Sequence, residues 1–273
     1  MQCIRYAADG PPQWGVKQDD TVVPLSGLRE EFAVEKLAET AFCRTVSAAA
    51  EAAADHALPL EDVRLLAPVP RPPKIVCVGL NYHDHAEEQD EEIPERPLLF
   101  GKAPTAVTNP GDPIVKPAGI EELDYEVELG IVVGHGGRHI DADEAREYVA
   151  GYTVVNDVSA RDAQFEDGQF LRGKSYDTFA PMGPTIVPDA DLDPNALDIA
   201  CRVNGETKQD SNTDQFIFDV GEMIEYISSV MTLRPGDVIS TGTPSGVGGL
   251  EDGDEVEVDV EGVETLAFTV EQH

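Results

Sequence analysis

Basic residues are scarce in this sequence. Only 19 of the 273 residues are lysine or arginine, against 53 aspartates and glutamates, so the formal net charge is −34. Nucleic acids and anionic membrane surfaces are bound through clustered lysine and arginine side chains. The composition therefore predicts neither a nucleic-acid partner nor a membrane partner.

Cysteine and long apolar runs are scarce as well. The four cysteines, Cys3, Cys43, Cys77 and Cys201, lie far apart and form no CxxC pair. This spacing is typical of unpaired cysteines in a reducing compartment. The first residues lack the apolar core of a signal peptide, and no uncharged apolar run has the length of a membrane span. We therefore expect a cytoplasmic protein.

The acidic residues are spread over the whole chain rather than gathered in a tail. Such a composition is typical of a halophilic protein, because molar salt shortens the screening length to about 3 Å and weakens the self-repulsion of the charges. Hydrophobic residues still make up 41% of the chain, which is enough for a folded core. A lysine kept on this acidic background is a candidate for a specific role.

A proline-rich segment at 67–73 divides the sequence into two parts. Proline fixes the backbone and removes a hydrogen-bond donor, so neither a helix nor a sheet interior is expected to continue through it. Before this segment, short strand-like pieces precede an alanine-rich helical stretch at about 34–57. The sequence predicts a small N-terminal α/β domain at 1–67 and a main domain at 68–273.

Strands dominate the predicted main domain. Apolar runs at 74–79, 130–133 and 152–157 are suited to buried strands, and helices are expected at 141–149 and 219–231. Strands and helices do not alternate regularly, which disfavours a doubly wound sheet. The predicted fold class is α+β with a mixed or antiparallel sheet.

Three carboxylates stand out by their apolar surroundings. Glu126 and Glu128 alternate with apolar residues, so in a strand both side chains would lie on one face, and Asp157 ends another apolar strand. In so acidic a chain, a solvated strand face is the simpler interpretation of a Glu-x-Glu pair. If the three carboxylates converge, they need a cation, and an all-oxygen ligand set is suited to Mg²⁺ or Mn²⁺.

Cationic and amide side chains lie near these carboxylates in the sequence. Arg161 and Gln164 follow Asp157 at helical spacing, which predicts that they lie near the same face. Lys174 and Lys102 each follow a glycine. Each basic residue could instead form an ordinary salt bridge, and for Lys102 the two interpretations are balanced.

A histidine and a glutamate, His85 and Glu88, are spaced as neighbours on a helix. A carboxylate beside an imidazole makes the imidazole a better base, so the pair is a candidate general base. The alternative is an exposed histidine on an acidic helix.

Five motifs are spread over about residues 74–248. They are Gly79-x-Asn81-Tyr82-x-x-His85, Tyr125-Glu126-Val127-Glu128-Leu129, Asn156-Asp157-Val158-Ser159-Ala160-Arg161-Asp162-x-Gln164, Gly173-Lys174-Ser175 and Thr241-Gly242-Thr243-Pro244-Ser245-Gly246-Val247-Gly248. Taken together and in this order, the motifs resemble those of the fumarylacetoacetate hydrolase family, in its acylpyruvase- and isomerase-like branch, whereas the first 67 residues match only loosely.

The resemblance implies a mixed β-roll, a homodimer, and a Mg²⁺ or Mn²⁺ ion held by Glu126, Glu128 and Asp157. It implies that His85 and Glu88 lie on a lid over the substrate and act in catalysis with Lys174. The candidate substrate-binding residues are Arg161, Gln164, Lys102, Thr241, Gly242 and Thr243.

The activity expected from the resemblance is hydrolysis of a C–C bond in a small anionic 2-oxo acid, of the acylpyruvate or β-diketo acid type, or decarboxylation of oxaloacetate. The metal motif leaves other reactions open, because several share an enolate. These are isomerisation or decarboxylation of a 2-hydroxy-hepta-2,4-diene-1,7-dioate and dehydration or hydrolysis of a 2-oxo-3-deoxy sugar acid. From a different class, the rival is a non-catalytic acidic cation-binding protein.

Overall fold

The computed structural model describes residues 1–28 and 30–273. The strands are β1 (Gln2–Ala7), β2 (Gln13–Gln18), β3 (Thr21–Pro24), β4 (Leu58–Pro59), β5 (Arg64–Leu66), β6 (Ile75–Gly79), β7 (Leu98–Lys102), β8 (Val107–Thr108), β9 (Ile114–Lys116), β10 (Leu123–Tyr125), β11 (Val127–Val133), β12 (Val149–Asn156), β13 (Ser159–Ala160), β14 (Ala180–Pro188), β15 (Asp198–Val203), β16 (Glu206–Asn212), β17 (Val238–Ser240), β18 (Gly248–Gly249), β19 (Glu255–Val260) and β20 (Leu266–Gln272). The α-helices are α1 (Thr40–Ala52), α2 (His83–Glu88), α3 (Arg161–Asp167), α4 (Leu171–Lys174) and α5 (Val220–Val230). Short 3-10 helices lie at Val34–Ala38, Ala54–His56, Leu60–Asp62, Pro104–Ala106, Ala142–Tyr148, Asp189–Asp191 and Thr213–Gln215.

A long mixed sheet forms the centre of the fold. Its strand order is β4-β3-β2-β1-β14-β12-β11-β17-β6-β7. Strands β17 and β6 run parallel, whereas β11 and β12 pair in antiparallel fashion and are buried at every residue. A strand covered on both faces needs a nearly continuous apolar sequence, which both runs provide. The predicted α+β class with a mixed sheet is confirmed.

A second sheet packs against the central strands. It has the order β16-β15-β19-β20-β9, and its strands β15 and β19 contact β11. Along β19 the residues alternate between buried and more exposed positions, as expected for a strand with one face against the core. The contact between the two sheets places β16 close to the start of β11.

The predicted helices form with some changes. Helix α5 lies within 219–231 and begins with a capping box, in which Asp219 and Glu222 each bind the other's backbone N–H. In the alanine-rich stretch, only Thr40–Ala52 is α-helical. The α-helix predicted at 141–149 is wrong in type, since Ala142–Tyr148 is a 3-10 helix packed on α5, and short connecting helices often take this tighter geometry. None of the helices in the described residues is both long and apolar enough to cross a membrane.

The N-terminal strands extend the central sheet. Strand β1 pairs with β14 through Cys3 and Ile4 and also pairs with β2 and β5. The proposed boundary after Ala67 therefore separates two chain segments that share one sheet. The division at 1–67 and 68–273 stays a prediction.

Candidate active site

The site begins at an irregularity between two strands. Glu126 lies between β10 and β11, where the sequence predicts one continuous strand. Its backbone N–H donates to the side-chain oxygen of Asn156 at 2.8 Å, and its carbonyl accepts from the N–H of Asp157 at 2.9 Å. These two bonds bring Glu126 and Asp157 side by side at the ends of neighbouring segments.

Three carboxylates converge in the interior. Glu126, Glu128 and Asp157 are 7%, 1% and 0% exposed, and one oxygen atom of each lies within 4.8 Å of the others. The pair Glu126 and Glu128 is therefore not a solvated strand face. Carboxylates this close and this buried stay ionised only when cations compensate them.

Two buried lysines bind these carboxylates directly. Lys174 Nζ donates to Glu126 Oε2 at 2.7 Å and to Asp157 Oδ2 at 2.9 Å. Lys102 Nζ donates to Asp157 and to the carbonyl of Val158, the latter at 3.0 Å. Both lysines therefore form salt bridges, which was the alternative interpretation of their sequence positions. Their partners are the clustered carboxylates themselves.

Arg161 joins the cluster from the first residue of α3. Its guanidinium forms ion pairs with Asp124 and Glu126 and donates to Gln164 Oε1 at 2.9 Å. The prediction that Arg161 and Gln164 share a helical face with Asp157 is wrong, because α3 begins only at Arg161. Arg161 reaches the site because the preceding strand β13 pairs with β10.

The two glutamates differ in their electrostatic surroundings. Burial raises the pKa of Glu126, but the charges of Lys174 and Arg161 outweigh this effect and lower the pKa to about 2. Burial and the charges of Asp157 and Glu126 raise the pKa of Glu128 well above its ordinary value. For Lys174, burial lowers the pKa, yet Asp157 and Glu126 raise it by more, so the ammonium group stays charged.

The end of β17 and the loop 241–247 hold Glu128. Ser240 Oγ and the backbone N–H of Gly242 both donate to Glu128 Oε2, the latter at 3.0 Å. Gly242 has φ of 94°, and a Cβ atom there would lie 2.9 Å from both Asn81 Cβ and Val78 O. Only glycine fits this close approach without strain.

The other predicted loop residues have defined partners. Thr241 Oγ1 donates to the carbonyl of Leu129 at 3.0 Å, which ties the loop to β11. Thr243 Oγ1 accepts from Gln209 Nε2 at 2.8 Å.

Helix α2 carries the predicted general base. His85 Nδ1 lies 3.2 Å from Glu88 Oε2, and Glu88 Oε1 accepts from the N–H of Gly246 at 3.0 Å. The preceding residue Asp84 accepts from the hydroxyl of Ser211. Glu88 therefore connects His85 to loop 241–247, and the same loop binds Glu128 through Gly242.

Several functional neighbours were missed in the sequence. Ser240, Asn156 and Gln209 are fully buried polar residues that bind the ligand-bearing backbone or side chains. Asn156 belongs to a quoted motif, but Gln209 lies in a strand that is polar throughout, so no periodicity distinguishes it. Only the fold reveals which of these polar residues is buried.

The residues present fit a divalent cation. With every carboxyl group ionised, as ligation of a metal requires, the cluster sets four carboxylates against three cationic side chains, which leaves one net negative charge. The carboxylates belong to Asp124, Glu126, Glu128 and Asp157, and the cations to Lys102, Lys174 and Arg161. Clustered carboxylate oxygens are the ligands that Mg²⁺ and Mn²⁺ prefer.

Comparison with known proteins identifies the family. The family model described as Fumarylacetoacetate (FAA) hydrolase C-terminal matches residues 74–271. The chain belongs to this family. A second model, Rv2993c-like, N-terminal, matches residues 1–68. The resemblance inferred from the motifs is thereby confirmed.

Similar proteins carry several activities in their names. The mitochondrial oxaloacetate tautomerase Fahd2a of Rattus norvegicus is 47% identical over 213 residues, which cover 75% of this chain and 68% of the relative. The structure of a fumarylacetoacetate hydrolase from psychrophilic Exiguobacterium antarcticum is 39% identical, with a TM-score of 0.88 and full coverage of both chains. A maleylpyruvate hydrolase from Sphingobium sp. SYK-6 is 32% identical, with a TM-score of 0.84 over 100% of this chain and 99% of that one. That hydrolase was solved in complex with manganese(II) and pyruvate.

Proposed function

We propose that the protein is a Mg²⁺- or Mn²⁺-dependent enzyme that hydrolyses a C–C bond in a small anionic 2-oxo acid of the acylpyruvate or β-diketo acid type. The observation that carries this proposal is the buried cluster of Glu126, Glu128 and Asp157 beside the charged Lys174. These three carboxylates would hold the metal ion. The related hydrolase solved with manganese(II) and pyruvate supports both parts of the proposal.

The charge of the cluster supports an anionic substrate. The single net negative charge of the side chains would become a single positive charge once a divalent cation is bound. A positively charged, buried site attracts a carboxylate and therefore favours an anionic substrate over a neutral one. The acidic surface of the chain therefore need not exclude an anionic substrate from this site.

The reaction needs stabilisation of negative charge on the substrate's keto oxygen. A bound divalent cation would supply Lewis-acid stabilisation of that charge. Lys174 is buried and stays protonated, and two of its N–H groups bind Glu126 and Asp157, so the third would donate to an oxygen that becomes negative. Such a donor is worth more in a buried site than in water, because the surrounding dielectric is low.

His85 would act as the general base. The bond of its Nδ1 to Glu88 keeps the proton on that nitrogen and leaves Nε2 to accept a proton from water. The resulting hydroxide attacks the distal carbonyl, the C–C bond breaks, and the enolate of the 2-oxo acid leaves and takes up a proton.

The remaining candidates would orient the substrate. Arg161 binds the oxygen of the Gln164 amide, which leaves the amide NH₂ as a donor for the substrate. Thr243 accepts from Gln209, so its hydroxyl hydrogen is available for a substrate carboxylate. Lys102 would act through Asp157, to which it is paired, while Thr241 and Gly242 would shape the pocket wall.

A second candidate reaction is the tautomerisation or decarboxylation of an oxaloacetate-like acid. The specific observation in its favour is the 47% identity with a mitochondrial oxaloacetate tautomerase. Both reactions use an enolate at the same oxygen, but tautomerisation moves a proton at carbon and requires no attack by water. Isomerisation of a hepta-2,4-diene-1,7-dioate and dehydration of a 2-oxo-3-deoxy sugar acid belong to the same chemistry.

The test is a substrate screen with Mg²⁺ or Mn²⁺ in high salt, covering acylpyruvates, oxaloacetate, ring-cleavage diacids and 2-oxo-3-deoxy sugar acids. We expect metal-dependent release of pyruvate from an acylpyruvate, and a loss of about 100-fold or more in His85→Ala. His85→Ala should still bind oxalate, an enolate mimic. Full activity and metal affinity in both Glu126→Ala and Asp157→Ala would contradict the site. Turnover of oxaloacetate alone would favour the second candidate.

The assembly and location are also proposals. From the family resemblance we expect a homodimer, and from the composition and the absence of long apolar runs we expect a cytoplasmic protein without a nucleic-acid or membrane partner. Light scattering in high salt measures the mass of the particle, and a monomer at micromolar concentration would contradict the dimer.

A further inference from the structure

Gln209 is a buried amide in a strand whose neighbours face solvent. It is 0% exposed, whereas Thr207, Lys208 and Asp210 beside it on β16 are exposed. Its side-chain oxygen accepts from the N–H of Val127 at 3.1 Å. Its NH₂ group donates to Thr243 Oγ1 at 2.8 Å and to the carbonyl of Pro244 at 2.9 Å.

These contacts join the two halves of the proposed site. Val127 lies between Glu126 and Glu128 and is the first residue of β11, so its N–H sets the course of the backbone that carries both carboxylates. Thr243 and Pro244 belong to loop 241–247, which binds Glu128 through Gly242. The amide of Gln209 therefore spans from the carboxylate-bearing strand to the pocket loop.

The amide has little freedom to move. Both of its N–H donors and its oxygen are used, and a buried amide with this set of bonds has one orientation. Because Thr243 Oγ1 accepts from Gln209, the hydroxyl hydrogen of Thr243 must point to a different acceptor. The orientation of the Gln209 amide thus prevents the Thr243 hydroxyl from donating to Gln209 and leaves its hydrogen for another acceptor.

We propose that Gln209 is a positioning residue that fixes the Glu126–Glu128 backbone and the Thr243 hydroxyl relative to each other. The affinity for the metal ion and the affinity for substrate would then both depend on Gln209. This inference rests on the proposed function of the site. It concerns how the site is held rather than which reaction the site performs.

The test compares wild type with Gln209→Leu, Thr243→Val and the double variant. We expect Gln209→Leu to raise the dissociation constant for Mn²⁺, measured by calorimetry without substrate, by about 10-fold, as is typical when a residue that orients metal ligands is removed. It should also raise KM by about 10-fold. Thr243→Val should raise KM but leave the affinity for Mn²⁺ within about two-fold of wild type.

The double variant tests whether Gln209 acts on substrate through Thr243. If it does, the two effects on KM are not additive, and the double variant has a KM close to that of the worse single variant. Additive effects on KM, or a Gln209→Leu protein with wild-type affinity for Mn²⁺ and wild-type KM, would overturn the inference.

The control variant is Gln18→Leu, since Gln18 is an exposed glutamine at the end of β2. It should match wild type in both constants. A merely structural role for Gln209 would reduce the active fraction, so kcat would fall while KM and the dissociation constant for Mn²⁺ stayed constant. If Gln209→Leu does not fold, Gln209→Asn keeps the amide but shortens it by one methylene, so it cannot reach both Val127 and Thr243. The KM of Gln209→Asn and its dissociation constant for Mn²⁺ then test the inference.

Different results would contradict the proposed function and the role of Gln209. A wild-type protein that binds no Mn²⁺ or turns over no oxo acid contradicts the function. A wild-type protein that does both, with Gln209 variants indistinguishable from it, contradicts the role of Gln209 alone.

Discussion

Glu126 and Glu128 are two residues apart, yet different groups hold them. Cations surround Glu126, whose carboxylate pairs with Lys174 and Arg161. Neutral donors hold Glu128, because Ser240 and the N–H of Gly242 bind the same oxygen. A metal ligand held by neutral hydrogen bonds keeps its direction without losing its charge to a salt bridge, so these donors should influence metal affinity directly.

Replacing Ser240 with alanine tests this influence. Ser240→Ala removes one donor to Glu128 and should weaken Mn²⁺ binding by about 10-fold, because a ligand without its supporting bond is poorly oriented. Calorimetry measures the dissociation constant. The control is Ser229→Ala, which removes an exposed hydroxyl bound to a backbone carbonyl in α5. Equal affinity in the two variants would mean that Ser240 does not orient Glu128.

Gly242 provides a second prediction for single residues. Gly242→Ala places a Cβ atom against the backbone of Val78 at a φ of 94°. We expect the free energy of unfolding, measured in urea, to fall by about 1–3 kcal/mol, because an alanine in this conformation is strained. An unchanged unfolding midpoint would show that the loop relaxes at no cost.

Helix α2 is attached at both ends of its polar face. Asp84 binds the hydroxyl of Ser211 on β16, and Glu88 binds the N–H of Gly246. The helix has only six residues and cannot be stable alone, so these contacts must hold it in place. The position of His85 therefore depends on contacts with β16 and loop 241–247.

Removing one attachment should affect substrate and spare the metal. Asp84→Ala should raise KM or lower kcat by about 10-fold, since a hydrogen bond to a charged group contributes about 1.5–3 kcal/mol. Its affinity for Mn²⁺ should match wild type. Glu87→Ala, which changes an exposed carboxylate on the same helix, is the control. The account of the helix is wrong if Glu87→Ala is equally impaired or if Asp84→Ala loses metal affinity.

The elements differ in how far the sequence predicts them. Strands β11 and β12 follow from apolar runs, and α5 follows from its apolar stripe. The break between β10 and β11 at Glu126 does not follow from the sequence, because it depends on the side chain of Asn156 from the neighbouring strand. The carboxylates were predicted from their apolar context, whereas Gln209 was not, since β16 is polar along its length and its burial arises only from the packing of the two sheets.

Across the whole molecule, the acidic surface and the buried site differ in how strongly salt screens their charges. The net charge of the chain is −34. Most of the acidic residues lie in solvent, where their mutual repulsion depends on salt. The carboxylates of the site are buried and paired with Lys102, Lys174 and Arg161, so salt in the solvent screens them weakly. The fold and the site should therefore respond differently to ionic strength.

The melting temperature should rise with salt. Between 0.1 M and 2 M KCl the screening length falls from about 10 Å to less than about 3 Å, which weakens the repulsion that favours unfolding. Scanning calorimetry over a KCl series measures the shift. A parallel series in sucrose is the control, because sucrose favours burial without screening charge. A melting temperature that does not change with KCl would contradict the halophilic interpretation of the surface.

The proposed function depends on a specific divalent-cation site formed by Glu126, Glu128 and Asp157. Calorimetric titration of Mn²⁺ in 2 M KCl, with wild type and Asp157→Asn side by side, tests for this site. We expect a single class of tight sites, with one ion per chain, and a loss of affinity of about 100-fold or more in Asp157→Asn, since one charged ligand is removed. Several weak sites that salt suppresses equally in both proteins would instead reveal an acidic surface that binds cations without a specific site, and would contradict the assignment of these three ligands.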